Sequence, residues 1–559
     1  MIWRQHITPD PNPSLPCIDD NFTETWIFNP GNPAQLIKIT QAIDSDIFCS
    51  GHSFDSEGRL IVAGGFFGPG GIPARTYRFD PTNLPIEISV GGQPFVRFAP
   101  WSRLDDMAIR RYYPTILPLI SESVPAGSMA YGGGGQLVIG GPTLTSGLDG
   151  NELWELHPSS TSSWLGPVAP PLAAMHPNHL ENYSSSSIER YSLHPPTNPP
   201  TALLDSYPRA FQLQSAGLGI ARGQIVIAGD IDAVPGSPAL GQTLNGDAWV
   251  IVPRYAGGPP GWQFWRYPDS SQNRQYGTAV RIDQLPLVGT PRRNRVLVFG
   301  GAGTGGALNT VQELTAGSDP ISRTPASAWN SGKAPMQYGR YWPNAVLLPT
   351  GKVLLVGGRQ TPGQSAFIPE LYDPGDLPQD SGFSIPLVQA NPVQGFGLPT
   401  PRHYHSFALL LQDGRVLVAG GERPQSPPVP SEYSAEMYVP AYLYQPFRPL
   451  IQAWPTTPIG FGPATFQVTA KPMLGTIDRV VIMRPGSVTH HFDSDQRYIE
   501  LAFTPQQSPP VPGQKTILTA TAPDPDLAPP GHYMLFVIEA DPGNPQNRVP
   551  SVAQFVEFQ

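Results

Sequence analysis

Cysteine is nearly missing from this chain: Cys17 and Cys49 are the only two in 559 residues. Two thiols cannot staple a fold of this size, so a disulfide framework is excluded, though one bridge between the pair stays open. Long apolar runs are missing too; none approaches the roughly 18–20 residues of a membrane-spanning helix. Charged residues amount to only 14%, with a net charge of −9 and a pI near 5.7. That balance lacks the clustered Lys and Arg that nucleic acid or an anionic membrane surface requires, so neither is expected as a partner. No 3.6-residue apolar period is sustained beyond two turns, which excludes long amphipathic helices. The opening residues Met1-Ile2-Trp3-Arg4-Gln5-His6 carry no basic segment followed by an apolar stretch. No signal peptide is visible there, as expected of a cytosolic protein or of a mature form with an added Met.

Glycine and proline, by contrast, are abundant, at 58 and 70 residues. Hydrophobic residues at 40% and aromatics at 10% rule out disorder, and no Gly-X-Y period is present. The combination points to many short strands joined by turns, in which Gly supplies positive φ and Pro presets φ. One pattern recurs: a turn, a strand of β-branched and apolar residues, then a Gly-Gly or Gly-Asp stop. Its six copies end at Gly64-Gly65, Gly140-Gly141, Gly229-Asp230, Gly300-Gly301, Gly357-Gly358 and Gly420-Gly421. Flanking strands such as Tyr341–Pro349 and Glu370–Pro374 complete the signature of a kelch-type propeller blade. The double glycine lets the strand end where blades crowd together. The expectation is a seven-bladed β-propeller whose divergent seventh blade draws strands from both ends of the region.

The repeats stop after Gly421, and Glu436–Tyr444 reads as a last outer strand and a junction. Beyond it, alternating strands at Thr465–Thr469, Arg479–Met483 and Tyr533–Ile538 are spaced as in a small sandwich. The predicted organisation is therefore all-β, with a propeller over 1–440 and an immunoglobulin-like β-sandwich over 441–559. One large, undivided all-β unit is the alternative.

Chemistry-bearing residues lie in four separated segments. Tyr404-His405, within Pro401-Arg402-His403-Tyr404-His405-Ser406, offers a metal one oxygen and one nitrogen from adjacent residues. Cys49 follows Phe48, Tyr113 follows Arg111-Tyr112, and His490 lies in Thr489-His490-His491. Taken singly, each has an ordinary reading: a buried structural thiol, a strand aromatic, a satisfied core histidine, an exposed hairpin histidine. Neighbours on a strand face opposite ways, so only one of Tyr112 and Tyr113 is expected to look into a shared site.

In order along nearly the whole chain, these motifs resemble the radical-copper oxidases, the galactose oxidase and glyoxal oxidase family, with a motif style nearest the glyoxal oxidase-like branch. Phe48-Cys49-Ser50-Gly51 is similar to the family's crosslinking cysteine segment, and Arg111-Tyr112-Tyr113-Pro114-Thr115 to its Arg-Trp-Tyr-Pro-Thr. Arg402–Ser406 resembles the motif of the axial tyrosine and equatorial histidine. Thr489-His490, seven residues ahead of Arg497, resembles the loop of the second histidine, with His491 a neighbour. Pro530–Val537 is like the closing strand.

The resemblance implies one copper held by Tyr113, Tyr404, His405 and His490, and a Cys49–Tyr113 thioether that serves as a radical cofactor. The implied activity is oxidation of a small aldehyde, primary alcohol or carbohydrate by O2, yielding H2O2. Tyr404 would act as base, and the Tyr113 radical would remove the carbon-bound hydrogen. The family is mostly secreted and the chain is expected to be a monomer. Position 112 is Tyr where the family has Trp, and no motif places an aromatic stacked on the crosslinked tyrosine. A non-catalytic kelch-type carbohydrate-binding or scaffold protein is the competing reading.

Overall fold

In the computed structural model the elements among the described residues are almost all β-strands. The structure describes residues 2–7, 19–31, 36–39, 43, 45–65, 74–83, 88–90, 93–95, 100–107, 110–119, 135–141, 154–157, 207–213, 225–228, 248–254, 261–267, 274–283, 294–303, 306–316, 329–361, 364–375, 382–384, 400–422, 432–506, 512–525 and 527–559. Cys17 and most of the Pro-rich stretches 158–208 and 375–400 lie outside the described residues.

Each recurring segment forms the second strand of its own antiparallel sheet. The first strands of these six sheets, numbered here in chain order, are Gly51–Phe54, Thr115–Pro118, Ala210–Gln212, Thr278–Ile282, Asn344–Leu347 and Tyr404–Leu410. The second strands are Leu60–Ala63, Gln136–Ile139, Ile225–Ala228, Asn294–Phe299, Val353–Val356 and Val416–Glu422. Strands such as Leu60–Ala63 and Val353–Val356 are buried at every residue. Both of their faces are covered, so they read as unbroken apolar runs rather than alternating ones.

The double glycines have a more specific role than crowding. Gly64 has φ +77°, and a Cβ there would lie 2.5 Å from the carbonyl oxygen of Arg111 at the entrance to the next sheet. Gly357, at φ +73°, stands in the same relation to the carbonyl of Arg402, at 2.7 Å. In these pairs the first glycine is thus a contact surface for the backbone of the following sheet.

A further sheet comprises Ile2–Ile7, Asp19–Phe28 and Leu36–Ile39. Trp101 of sheet one donates its indole N–H to Thr25 Oγ1 (3.1 Å), and Arg415 of sheet six donates to the carbonyl of Pro30 (2.7 Å). This sheet therefore bridges the first and last of the six. All its described strands are N-terminal, unlike the expected closure from both ends. The strand Ala435–Tyr438 stays with sheet six, paired to Val416–Ala419.

The C-terminal region forms two sheets. Thr465–Lys471 and Thr516–Thr521 are the inner strands of one, and Thr476–Arg484 and Gly531–Asp541 are central to the other. Side chains of the second sheet alternate between two cores, as a period of two requires. Val480, Ile482, Leu535 and Val537 face the first C-terminal sheet. Val481, Met483, Met534, Phe536 and Ile538 instead join Ile282, Phe299, Leu347 and Leu355 of sheets four and five. The C-terminal region thus shares one hydrophobic core with the repeats.

Candidate metal centre

The site is built where each sheet begins. Cys49, Tyr113, Tyr207, Tyr276 and Trp342 each sit two or three residues ahead of a first strand, and each has positive φ, between 48° and 63°. Such a conformation costs of order 1–3 kcal/mol for a residue with a Cβ, so surrounding contacts must hold it. Those contacts run from sheet to sheet. Tyr113 N–H donates to the carbonyl of Cys49 (3.0 Å), Tyr207 N–H to that of Tyr113 (2.7 Å), and Trp342 N–H to that of Tyr276 (2.8 Å). Buried arginines then fasten the turns. Arg111, Arg274, Arg340 and Arg402 donate to the carbonyls of Gly140, Gly300, Gly357 and Gly420 in their own sheets.

A hairpin of the C-terminal region enters among these turns. Asp495 accepts from Ser53 Oγ and the Phe54 N–H of sheet one (both 2.8 Å), and Ser494 Oγ donates to Ile116 of sheet two (2.8 Å). Tyr207 OH lies 3.4 Å from Thr489 Oγ1, and Thr278 Oγ1 of sheet four donates to the His491 carbonyl (2.8 Å). Gln496 bonds Ala345 and Leu347 of sheet five, and Val488–Thr489 lies against the first strand of sheet six. One short hairpin therefore touches all six sheets, and Asp495 and Gln496 are its anchors.

At its tip is His490. The phenol oxygens of Tyr113 and Tyr404 are 3.0 Å apart. The His405 and His490 rings cross at 88° with centroids 4.4 Å apart. Candidate ligand atoms of Cys49, His405 and His490 lie within 4.8 Å of one another. Cys49 Sγ is 3.6 Å from His490 Nε2, and the thiol is also close enough to hydrogen-bond the Tyr113 phenol. Thr489 Oγ1 holds His490 Nδ1 at 2.8 Å, which leaves Nε2 turned toward the cluster. All five residues singled out in the sequence thus converge, with Cys49, Tyr113 and His490 about 95% buried and Tyr404 and His405 half-buried.

The electrostatics suit a cation. Burial, with His405, His491 and His52 nearby, holds His490 well below its ordinary range, so its ring is neutral and able to bind metal. Burial, then Cys49 and Tyr404, hold the Tyr113 phenol far above its usual range. A metal cation reverses that logic by stabilising the phenolate. Two imidazoles and two phenols form a nitrogen and oxygen donor set of the kind copper(II) takes in tetragonal geometry, so the residues fit copper.

A domain model described as "Galactose oxidase-like, Early set domain" matches residues 448–558. An aldehyde oxidase GLOX of Vitis pseudoreticulata is 29% identical over 304 residues, which cover 51% of this chain and 54% of that protein. A galactose oxidase of Gibberella zeae is 28% identical over 293 residues, covering 50% of this chain and 37% of that one. These matches support the radical-copper oxidase family for this chain. It spans about half, or less, of the length of these curated relatives. In fold it is similar to a fungal alcohol oxidase of the AA5 family solved in complex with copper, with TM-score 0.65, 21% identity, and coverage of 97% of this chain and 91% of that one.

Several residues around the site were not legible in the sequence. Tyr112 and Tyr113 do not face apart: their rings stack at 3.8 Å and 28°. They precede the strand, and the positive φ of Tyr113 breaks strand alternation. Tyr207 packs on Tyr113 and on His490, at 5.0 and 4.7 Å between centroids. Trp342 lies 5.6 Å from Tyr404. Both come from sheet-entry turns equivalent to those of Cys49 and Tyr113, so the repeat register was the signal available. His490 and His491 are buried rather than exposed on a polar hairpin.

Proposed function

We propose that this chain is a copper-radical oxidase that oxidises an aldehyde or primary alcohol with O2, producing H2O2. The observation that carries the reading is the convergence of Cys49, Tyr113, Tyr404, His405 and His490 from four distant segments. The hairpin's bonds to successive sheets and the sheet that joins first to last support a seven-bladed propeller over 1–440. The two-sheet core supports an immunoglobulin-like domain over 441–559 that supplies His490.

Tyr113, Tyr404, His405 and His490 would hold copper, which would supply a Lewis-acidic centre and one oxidising equivalent. Tyr404, half-buried and hydrogen-bonded to Tyr113, is the group positioned to take the proton of a substrate hydroxyl or aldehyde hydrate. Tyr113, joined through its ortho carbon to Cys49 Sγ, would take the carbon-bound hydrogen. The substrate then loses two electrons and two protons, and O2 gains them as H2O2. Forming the thioether removes one hydrogen from the thiol and one from the ring, again with O2 as acceptor. Among the described residues no helix is long and apolar enough to cross a membrane; we propose export, as for the family.

Copper loading in air followed by a substrate panel read as peroxide tests the activity. Thiol alkylation of the unfolded, loaded protein separates a crosslinked Cys49 from a simple thiol ligand. A reactive Cys49 thiol after full loading would reject the radical mechanism.

A further inference from the structure

We propose that the junction between sheet four and the C-terminal region binds one small monovalent anion, of chloride size, between the guanidinium groups of Arg281 and Arg497. The strand Arg497–Leu501 starts directly after the hairpin that carries His490 and pairs with Thr476–Arg484, which puts Arg497 opposite Arg484. Along its other edge, Ile499 forms a parallel bridge to Asp283, at the end of the first strand of sheet four. Two residues back on each strand, the period of two sets Arg281 beside Arg497. Arg281, Arg484 and Arg497 therefore form one row, exposed by only 2%, 3% and 4%.

The row is short of negative charge. Arg281 Nε and Nη2 donate to Asp283 at 3.2 and 3.0 Å, and Arg484 Nε donates to Asp495 at 3.3 Å. Arg497 makes no ion pair among the described residues; its Nη1 donates to the Leu527 carbonyl (3.2 Å). Three buried guanidiniums thus meet two carboxylates. Asp493, a further buried acid, accepts the N–H groups of Ser487, Asp495 and Gln496 instead. Two donors in the row are also unused. Arg281 Nη1 and Arg497 Nε are buried with no hydrogen-bond partner among the described residues.

A guanidinium keeps its proton, so the row cannot escape by neutralising itself. Burial, then the neighbouring Arg281, pull the Arg497 pKa down to about 9, as expected of a cation held without enough counter-charge. Ordered water would satisfy the two N–H groups but leave the net positive charge buried, which is costly. An anion answers both needs. One charge is missing, so the ion is monovalent, and the enclosure admits only a small one. Bound there, it joins sheet four to the strand that continues from the His490 hairpin.

The test pairs diffraction with melting curves. Crystals of the whole protein grown in potassium gluconate and soaked in sodium bromide should show one anomalous peak within hydrogen-bond distance of Arg281 Nη1 and Arg497 Nε. In solution, replacing gluconate by chloride or bromide at constant ionic strength should raise Tm by several degrees and saturate with concentration. Arg497→Gln removes the uncompensated charge but keeps a polar side chain, and should lose both the peak and the halide dependence. Should that variant fail to fold, the wild-type crystals and melting curves still decide. Water without an anomalous signal at the two nitrogens overturns the inference. So does a peak with no halide effect on Tm, an adventitious ion only, or a halide effect that persists in folded Arg497→Gln. None of these readouts involves copper or turnover, so failure here leaves the oxidase reading standing.

Discussion

At the scale of single residues, the site gathers strained backbone. Cys49, Tyr113, His405 and His490 all have positive φ, a conformation few side chains adopt without being held there. The strain aims each side chain inward from a turn, where an unstrained extended residue would continue the strand. Cys49 is the sharpest test of what this achieves. Loading with copper in air should join the peptides around Cys49 and Tyr113 with the loss of two hydrogens, read by mass spectrometry. Cys49→Ala should keep copper but lose the radical signal and nearly all turnover. Thr489 acts more gently, because its hydroxyl fixes the orientation of the His490 ring. Thr489→Val should lower copper affinity by about 10–100-fold, measured by competitive titration, without unfolding the protein.

The repeated element is a strand pair closed by an arginine. Arg340 is fully buried, donating to Gly357 and to Glu370 Oε2 at 2.7 Å. Removing one partner of a buried pair strands the other, so Arg340→Ala should destabilise the protein by about 3–5 kcal/mol in denaturant unfolding. Glu370→Gln, which keeps a hydrogen-bonding side chain, should cost less. The link between sheet one and the C-terminal hairpin has a pH signature. Burial holds the His52 pKa near 3, below its ordinary 6.5, so the folded state excludes a proton that the unfolded chain accepts. The stability tied to neutral His52 is fully present above pH 6.5 and is lost as pH falls toward 3. The slope is at most about 1.4 kcal/mol per pH unit for this group. His52→Gln should flatten the acid side of the stability profile across that window.

For the whole molecule, the two regions are one folding problem. The strands Thr476–Arg484 and Gly531–Asp541 bury one face against sheets four and five, and the hairpin that follows the first of them bonds to the surrounding sheets. A chain truncated near residue 440 would expose that apolar face and lose His490. It should bind no copper and should expose hydrophobic surface to a dye such as ANS. A soluble truncated form with full copper-dependent activity would show that His490 is not a ligand.

Much of this was open to reading in one dimension. Six Gly-terminated strands repeat at the level of local composition, and local composition decides that a segment becomes a buried strand with a tight stop. Tyr404-His405 is likewise legible because adjacent residues present both donors. What the repeat could not convey is which carbonyl Gly64, Gly300 or Gly357 meets, since that atom belongs to the next sheet. Nor could strand periodicity foresee the stacking of Tyr112 on Tyr113, because positive φ before the strand is held by a hydrogen bond from another segment to the Tyr113 carbonyl. The roles of Asp495 and Gln496 depend on a hairpin reaching sheets some 440 and 150 residues away in sequence. The sequence by itself determined the strands, their stops and the donor atoms, all of them consequences of neighbouring residues. Only the tertiary structure decided that Cys49, Tyr113, Tyr404, His405 and His490 meet, because that depends on contacts between segments whose separation along the chain carries no local signal.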